Sequence, residues 1–230
     1  MKTVAIIPAR GGSKGLKRKN ILPLLNIPLI AYSIKSGVNS RNIDMVMVST
    51  EDEEIARVSK EAGAEVPFMR PFELAADDTP TLDVLKFTIE KLEEHSRVKI
   101  DNIVLLQPTS PLRNHLHIDE AFKIFLNNGR KPVVSVTEAK THPNMVKKID
   151  NNQLVNFLET SDTVTRRQDL TKVYELNGAI YITTREKIMD ENRIYGDEVY
   201  PYQMEKQYSV DIDDRFDFLL AELLMKEMRM

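Results

Sequence analysis

The sequence predicts an α/β fold, a mainly parallel sheet with helices on both faces. Three observations predict it. Short β-branched apolar runs recur along the chain, helical segments of about 10–15 residues alternate with them, and glycine, proline or asparagine punctuates the joins.

The first run, TVAIIPA, suits a central parallel strand. IPLIAYSIKSGVNS reads as a helix with Pro28 near its first turn, and DMVMVST as a second strand. EDEEIARVSKEAG is a helix whose acidic start faces water and suits the macrodipole, with Gly63 as its stop. AEVPFM reads as a short third strand. Thr79 and Pro80 read as N-cap and first residue of a helix carrying Leu82, Leu85, Ile89 and Leu92 on one face. DNIVLLQ and PVVSVTEA are strands, separated by the helix HIDEAFKIFLNNG, which ends at Gly129. From about 140 to 174 the rhythm breaks into short alternating segments around an IDNNQ turn, a β-rich excursion from the core. NGAIYITT resumes core strand character and YSVDID is a late strand. DRFDFLLAELLMKEMR closes the chain as an amphipathic helix with Phe216, Leu219, Leu220, Leu223 and Leu224 inward. The whole of 1–230 reads as one domain without internal repeats.

Composition narrows the function classes. A net charge of −3 argues against general binding to nucleic acid or membrane surfaces, so an anion site has to come from local charge. The chain has no cysteine, which excludes disulfides, thiolate metal sites and cysteine nucleophiles. MKTVAIIPAR reads as a strand and not as a signal peptide, and no stretch approaches the roughly 18 apolar residues of a membrane span. A cytoplasmic protein is the expectation.

Local positive charge stands directly after the first strand. PARGGSKGLKRKN interleaves Gly11, Gly12 and Gly15 with Arg10, Lys14 and Lys19, at the strand end where open α/β sheets bind ligands. Glycines let backbone N–H groups approach a ligand, and the cations neutralise a polyanion; together they describe a triphosphate cradle. Neither the Walker A pattern nor G-x-G-x-x-G occurs in the loop. Near the other end of the chain, VDIDD sets Asp211 and Asp213 two apart, on one face if the segment is a strand. Two such carboxylates call for a hard cation, and Mg²⁺ suits a site completed by phosphates. Asp214 reads as the cap of the following helix. The histidines offer little: His115 and His117 diverge on a helix.

IIPARGGSKGLKRKN, RPFELAADDT, LLQPTSPLR, NGAIY and SVDIDD occur in this order over nearly the whole chain. The set resembles the acylneuraminate cytidylyltransferases, the CMP-sialic acid synthetases. SKGLKRKN favours this branch over the relatives that activate the eight-carbon sugar Kdo, whose loop is similar to P-A-R-x-x-S-x-R-L-P-x-K-P. The resemblance implies a Rossmann-like nucleotide-diphospho-sugar transferase fold and a reaction of CTP with N-acetylneuraminate, or a close nine-carbon α-keto acid sugar, to give CMP-sugar and pyrophosphate. Synthesis of CMP-legionaminate or CMP-pseudaminate is the alternative within the fold, and a non-catalytic nucleotide-binding protein the alternative outside it.

By resemblance, Arg10, Gly11, Gly12, Ser13, Lys14, Lys19, Asn20, Arg70 and Thr81 hold the nucleotide, with Lys19 nearest the α-phosphate. Gln107, Arg167 and Tyr181 contact the sugar, Asp211 and Asp213 bind Mg²⁺, and Lys19, Asp211 and Arg10 act in catalysis. Plainer roles compete: Gln107 as the end of a strand, Tyr181 as a core residue, Arg167 as a rim charge, Arg113 as a loop-orienting residue. Thr109 and Ser110 either cap the next helix or donate to a ligand. The resemblance also implies a homodimer, with the excursion as its arm. In that arm HPNM replaces the H-P-L-K of some sialic-acid members, which leaves the sugar open.

Overall fold

Strand β1 (Thr3–Pro8) is apolar on both faces, and the sheet is built outward from it. The computed structural model describes residues 1–158 and 170–228. After β1 come a short antiparallel pair, β2 (Pro23–Leu24) and β3 (Ile27–Pro28), and helix α1 (Leu29–Val38). Strand β4 (Met45–Ser49), helices α2 (Glu53–Glu61) and α3 (Thr81–Ser96), strand β5 (Asn102–Leu105), helix α4 (His115–Asn127) and strand β6 (Val133–Glu138) follow. Strands β7 (Lys147–Asp150) and β8 (Gln153–Asn156) form a separate hairpin. Strand β9 (Tyr174–Thr184), helix α5 (Arg185–Met189), strand β10 (Tyr200–Gln203) and helix α6 (Arg215–Glu227) complete the order.

The central sheet runs β10-β6-β9-β5-β1-β4. Strand β1 is parallel to β4 and β5, and β10 is parallel to β6, while β9 is antiparallel to both of its neighbours. Alternation along β1 sorts the layers. Ala5 and Ile7 join Ile30 and Ile34 of α1, Ile55 of α2 and Phe122 of α4 on one face. Val4 and Ile6 join Leu85, Ile89 and Leu92 of α3 on the other. A third cluster packs Ala221 and Met225 of α6 against Leu24, Leu112, Val210 and Ile212. Because β4 and β5 flank β1, the chain reverses its travel across the sheet there, and the carboxyl ends of these strands open onto one crevice.

The excursion leaves and returns at one point. Glu138 pairs with Tyr174 at the far ends of β6 and β9, and the Ala139 N–H donates to the Val173 carbonyl at 2.9 Å. Its described part is the β7–β8 hairpin, turned by Asn151 and Asn152 at positive φ.

Five expectations need correction. AEVPFM forms only an isolated bridge, Met47 to Glu65, because Pro67 cuts it short. YSVDID is not a strand; the sixth strand is β10, whose Pro201 is tolerated because β10 is an edge paired on one side only. Thr79 does not cap α3: Pro80 stands at the cap without a side-chain bond, and the Thr79 hydroxyl donates to the Glu73 carbonyl. In α6, Phe216, Leu219, Leu220 and Leu223 are exposed, Leu224 is partly buried, and the inward residues are Ala221 and Met225. Small Ala221 permits the close approach of the helix. Finally, Glu51 of the acidic EDEE run is buried, not solvated.

Candidate active site

The loop after β1 divides its cations between two directions. Arg18, in a left-handed conformation, turns to α2 and pairs with Asp52 and Glu54. This Asp52 hydrogen bond and charge raise the guanidinium above its ordinary value and hold the Asp52 carboxyl below its own. Arg10, Ser13, Lys14, Lys19 and Asn20 line a cleft of about 490 Å³ at the carboxyl ends of β1 and β5. Asn20 is buried there and donates to the Arg10 carbonyl at 2.9 Å, which fixes the loop's curvature.

Lys19 reaches across the cleft to the acidic segment. Its Nζ donates to the Ile212 carbonyl at 2.7 Å and to Asp213 Oδ1 at 3.2 Å. Gly15 lies against the same segment, so closely that a Cβ there would meet the Asp213 carbonyl at 2.1 Å. The first loop and the late aspartates thus form one wall, although no strand joins them. The segment is instead tied by the Ile212 N–H to the Thr109 carbonyl at 2.8 Å. Val210 and Ile212 are buried in the third cluster, and Asp211 and Asp213 alternate with them.

Asp211 faces a bulge in β9. The register with β6 shifts between Val134 and Val136, and Ser135 Oγ fills the gap, accepting from the Ile180 N–H at 2.8 Å and lying 2.6 Å from Asn177 Oδ1. Gly178 at the bulge has φ +72°, and a Cβ on it would stand 2.7 Å from Gln107 Oε1 and 3.2 Å from Asp211 Oδ2. The Asn-Gly of NGAIY therefore brings backbone close to two predicted site residues. Burial, then the charge of Asp213, pushes the Asp211 carboxyl up, while Thr109 and Lys19 pull it down. Among the described residues its buried Oδ1 has no hydrogen-bond partner.

The nucleotide-side prediction for Arg70 acquires a partner that sequence reasoning missed. Arg70 is buried, its Nη2 2.6 Å from Glu51 Oε2, and Glu51 Oε1 accepts the Gly11 N–H at 2.7 Å. Glu51 thus couples the glycine loop to Arg70 from the end of β4. Among the described residues Arg70 Nε, a buried donor at the cleft wall, has no partner. Gly11 itself does not offer its N–H to the cleft; it and Gly12 line the hollow on the far side of the loop, with Glu51, Asp52 and Phe72. The only sequence signal for Glu51 was its place directly after a strand, at the head of an acidic run that reads as solvated.

The remaining predicted residues separate. Thr81 and Gln107 line the cleft, as does Thr109. Neither Thr109 nor Ser110 caps α4, since Asn114 does so, with His117 Nδ1 accepting the Asn114 N–H in return. Tyr181 is not among the cleft-lining residues: it stacks on Tyr195 at a ring distance of 6.2 Å beside the second core cluster. Arg166 and Arg167 lie outside the described residues. Arg113 is fully buried and, among the described residues, pairs with no carboxylate; it donates to the carbonyls of Ala179 and Gln107 and to the hydroxyls of Ser33 and Ser36, and burial pushes its guanidinium down to about 9. It orients the Gln107 turn against the β9 bulge and leaves the cleft to others.

A family model described as cytidylyltransferase matches residues 4–230. The chain belongs to the cytidylyltransferase family. Among similar proteins is the N-acylneuraminate cytidylyltransferase of Escherichia coli O18:K1:H7, 34% identical over 221 residues, 96% of this chain and 51% of that protein. The chain spans about half the length of the curated N-acylneuraminate cytidylyltransferases it matches. It covers 97% of the pseudaminic acid cytidylyltransferase of Campylobacter jejuni, at 34% identity over 98% of this chain. It also covers 97% of the CMP-N,N'-diacetyllegionaminic acid synthase of Legionella pneumophila, at 35% identity over 98% of this chain. The structure of CMP:2-keto-3-deoxy-manno-octonic acid synthetase complexed with CTP superposes with TM-score 0.74 at 16% identity, covering 99% of this chain and 100% of that one. That likeness establishes the Rossmann-like fold of this chain.

Proposed function

We propose that this chain transfers CMP from CTP to the anomeric hydroxyl of a nine-carbon α-keto acid sugar, releasing pyrophosphate. One observation carries the reading: the cationic loop, Arg70, Gln107 and Asp213 line a single cleft, with Asp211 beside Gln107 across Gly178. Lys19 takes the α-phosphate, and Arg10 and Lys14 take the β- and γ-phosphates. Ser13, Asn20 and Thr81 complete the nucleotide wall, and the free Nε of Arg70 donates to the nucleotide. Charge builds on phosphate oxygens as pyrophosphate leaves, so fixed cations and alignment supply most of the acceleration.

Magnesium fits Asp211 and Asp213. Asp211 Oδ1 is buried and unpartnered, and its carboxyl is raised by burial and by Asp213. Among the described residues no three His, Cys, Asp or Glu side chains cluster for a metal. Mg²⁺ takes one or two carboxylates and fills its shell with phosphate and water. Bound there, Mg²⁺ supplies positive charge to the phosphate oxygens. Asp211 is the acceptor for the proton of the attacking hydroxyl, and Gln107 orients the sugar, with Tyr181 and Arg167 assigned to the same side by resemblance.

N-acetylneuraminate is the leading sugar. A second reading, pseudaminate or legionaminate, is favoured by one observation: the relatives named for those acids match this chain over nearly their full length. Pyrophosphate release measured with CTP and each of the three acids in turn decides among them, and no turnover with any overturns the proposal. A homodimer is supported by the exposed apolar residues Ile149, Leu154 and Phe157 on and beside the hairpin. Among the described residues no helix is long and apolar enough to cross a membrane. With CTP as the substrate, the cytoplasm is the compartment we propose.

A further inference from the structure

Two cations of the first loop already hold an anion. Arg10 Nη1 lies 2.6 Å from Asp77 Oδ1 and Lys14 Nζ lies 2.9 Å from Asp77 Oδ2, so one carboxylate bridges both. Asp77 lines the same cleft, together with Leu74, Ala76 and Thr79. Lys14 first, then Arg10, holds its carboxyl below the ordinary value, so it stays charged.

We infer that Asp77 is an internal counter-ion that competes with the leaving pyrophosphate for Arg10 and Lys14, and so speeds product release. This rests on the cleft being the CTP site. The physical case is a balance of strengths. The three side chains are substantially exposed, at 32%, 77% and 46%, and pairs of that kind are weak and screened. A polyphosphate, with several charges on chelating oxygens, wins the cations when it enters. When pyrophosphate departs, Asp77 returns, and the two cations are not left facing each other without an anion. The segment can make that exchange cheaply, because its bonds are local. The Leu74 N–H donates to Pro71, the Thr79 N–H to Ala76, and the Thr79 hydroxyl to Glu73. Moving Asp77 breaks no strand ladder. Asp78, its exposed neighbour, forms no ion pair among the described residues and serves as the comparison.

The test is titration calorimetry of the whole protein with inorganic pyrophosphate and, separately, with CMP, at one low salt concentration without added divalent metal. D77N binds pyrophosphate about three- to tenfold more tightly than wild type, while CMP, whose one phosphate goes to Lys19, changes by less than about twofold. D78N removes the same formal charge and moves pyrophosphate binding by less than about twofold. In the K14A background the gain from D77N shrinks. Unchanged or weaker pyrophosphate binding by D77N overturns the inference, as does an equal gain in D78N or an undiminished gain with K14A. If wild type binds neither CTP nor pyrophosphate, the cytidylyltransferase reading falls and takes this inference with it. If wild type binds both and D77N does not differ, only the inference falls.

Discussion

At Asp211, burial and charge oppose each other. The folded carboxyl titrates above its ordinary 3.8, so the fold holds this proton more tightly than the unfolded chain does. Its contribution to stability is full below 3.8 and is lost as pH rises through the folded value; at neutral pH the ionised group is a cost. Asp211→Asn therefore raises the Tm of the metal-free protein, by roughly 2–4 °C per kcal/mol recovered. With the proposed magnesium site at Asp211 and Asp213, the same change lowers kcat by on the order of 10²-fold or more and removes any stabilisation by added Mg²⁺. A thermal melt with and without Mg²⁺, beside a pyrophosphate-release assay, checks both halves; a lower Tm refutes the burial argument. Lys19→Ala separates differently. Its ammonium bonds Ile212 and Asp213, and in the proposed α-phosphate role its loss drops kcat by on the order of 10²-fold with KM for CTP changing far less.

Elements in this protein are held to one another by a few buried polar joints. Glu51 joins the end of β4 to the glycine loop and to Arg70, with both charges buried. Glu51→Ala leaves the Arg70 guanidinium buried without a counter-charge and costs about 3–5 kcal/mol, read from denaturant unfolding. Glu51→Gln keeps an acceptor for the Gly11 N–H and loses less. At the start of α4, neutral His117 accepts the Asn114 N–H while packed on Tyr208 at 4.7 Å. Burial lowers its pKa from the ordinary 6.5. Stability from His117 is therefore complete above pH 6.5 and is lost as pH falls through its lowered folded value. Urea midpoints measured across that acidic range fall for wild type and fall less for His117→Gln, which retains an acceptor at the third helical position.

On the scale of the molecule, the hairpin stands off the core sheet with apolar side chains in water, Ile149 at 78% and Leu154 at 71% exposure. The excursion is an insertion between two paired strands, so it can engage a second copy without disturbing β6 or β9. On the proposed homodimer, Ile149→Asp with Leu154→Asp yields a monomer in light scattering while leaving the Tm of the core nearly unchanged. A variant that stays dimeric removes the hairpin from the interface.

Local pattern alone determined the layered α/β core, the cap at Asp214, the helix stop at Gly63, the interruption after β6 and the presence of a cationic glycine loop after β1, because each is written in neighbouring residues as periodicity, punctuation or charge. The same local reading put AEVPFM and YSVDID in strands and the leucines of α6 inward, since a short apolar run does not record which face finds a partner or whether a ladder is open to it. Only the tertiary structure decided that Glu51 is buried under the glycine loop, that Tyr181 stacks on Tyr195, that Asp77 bridges Arg10 and Lys14, and that Lys19 meets Asp213 across 194 positions of chain. Those are contacts between distant segments, and their energies come from burial and pairing that no stretch of sequence carries by itself.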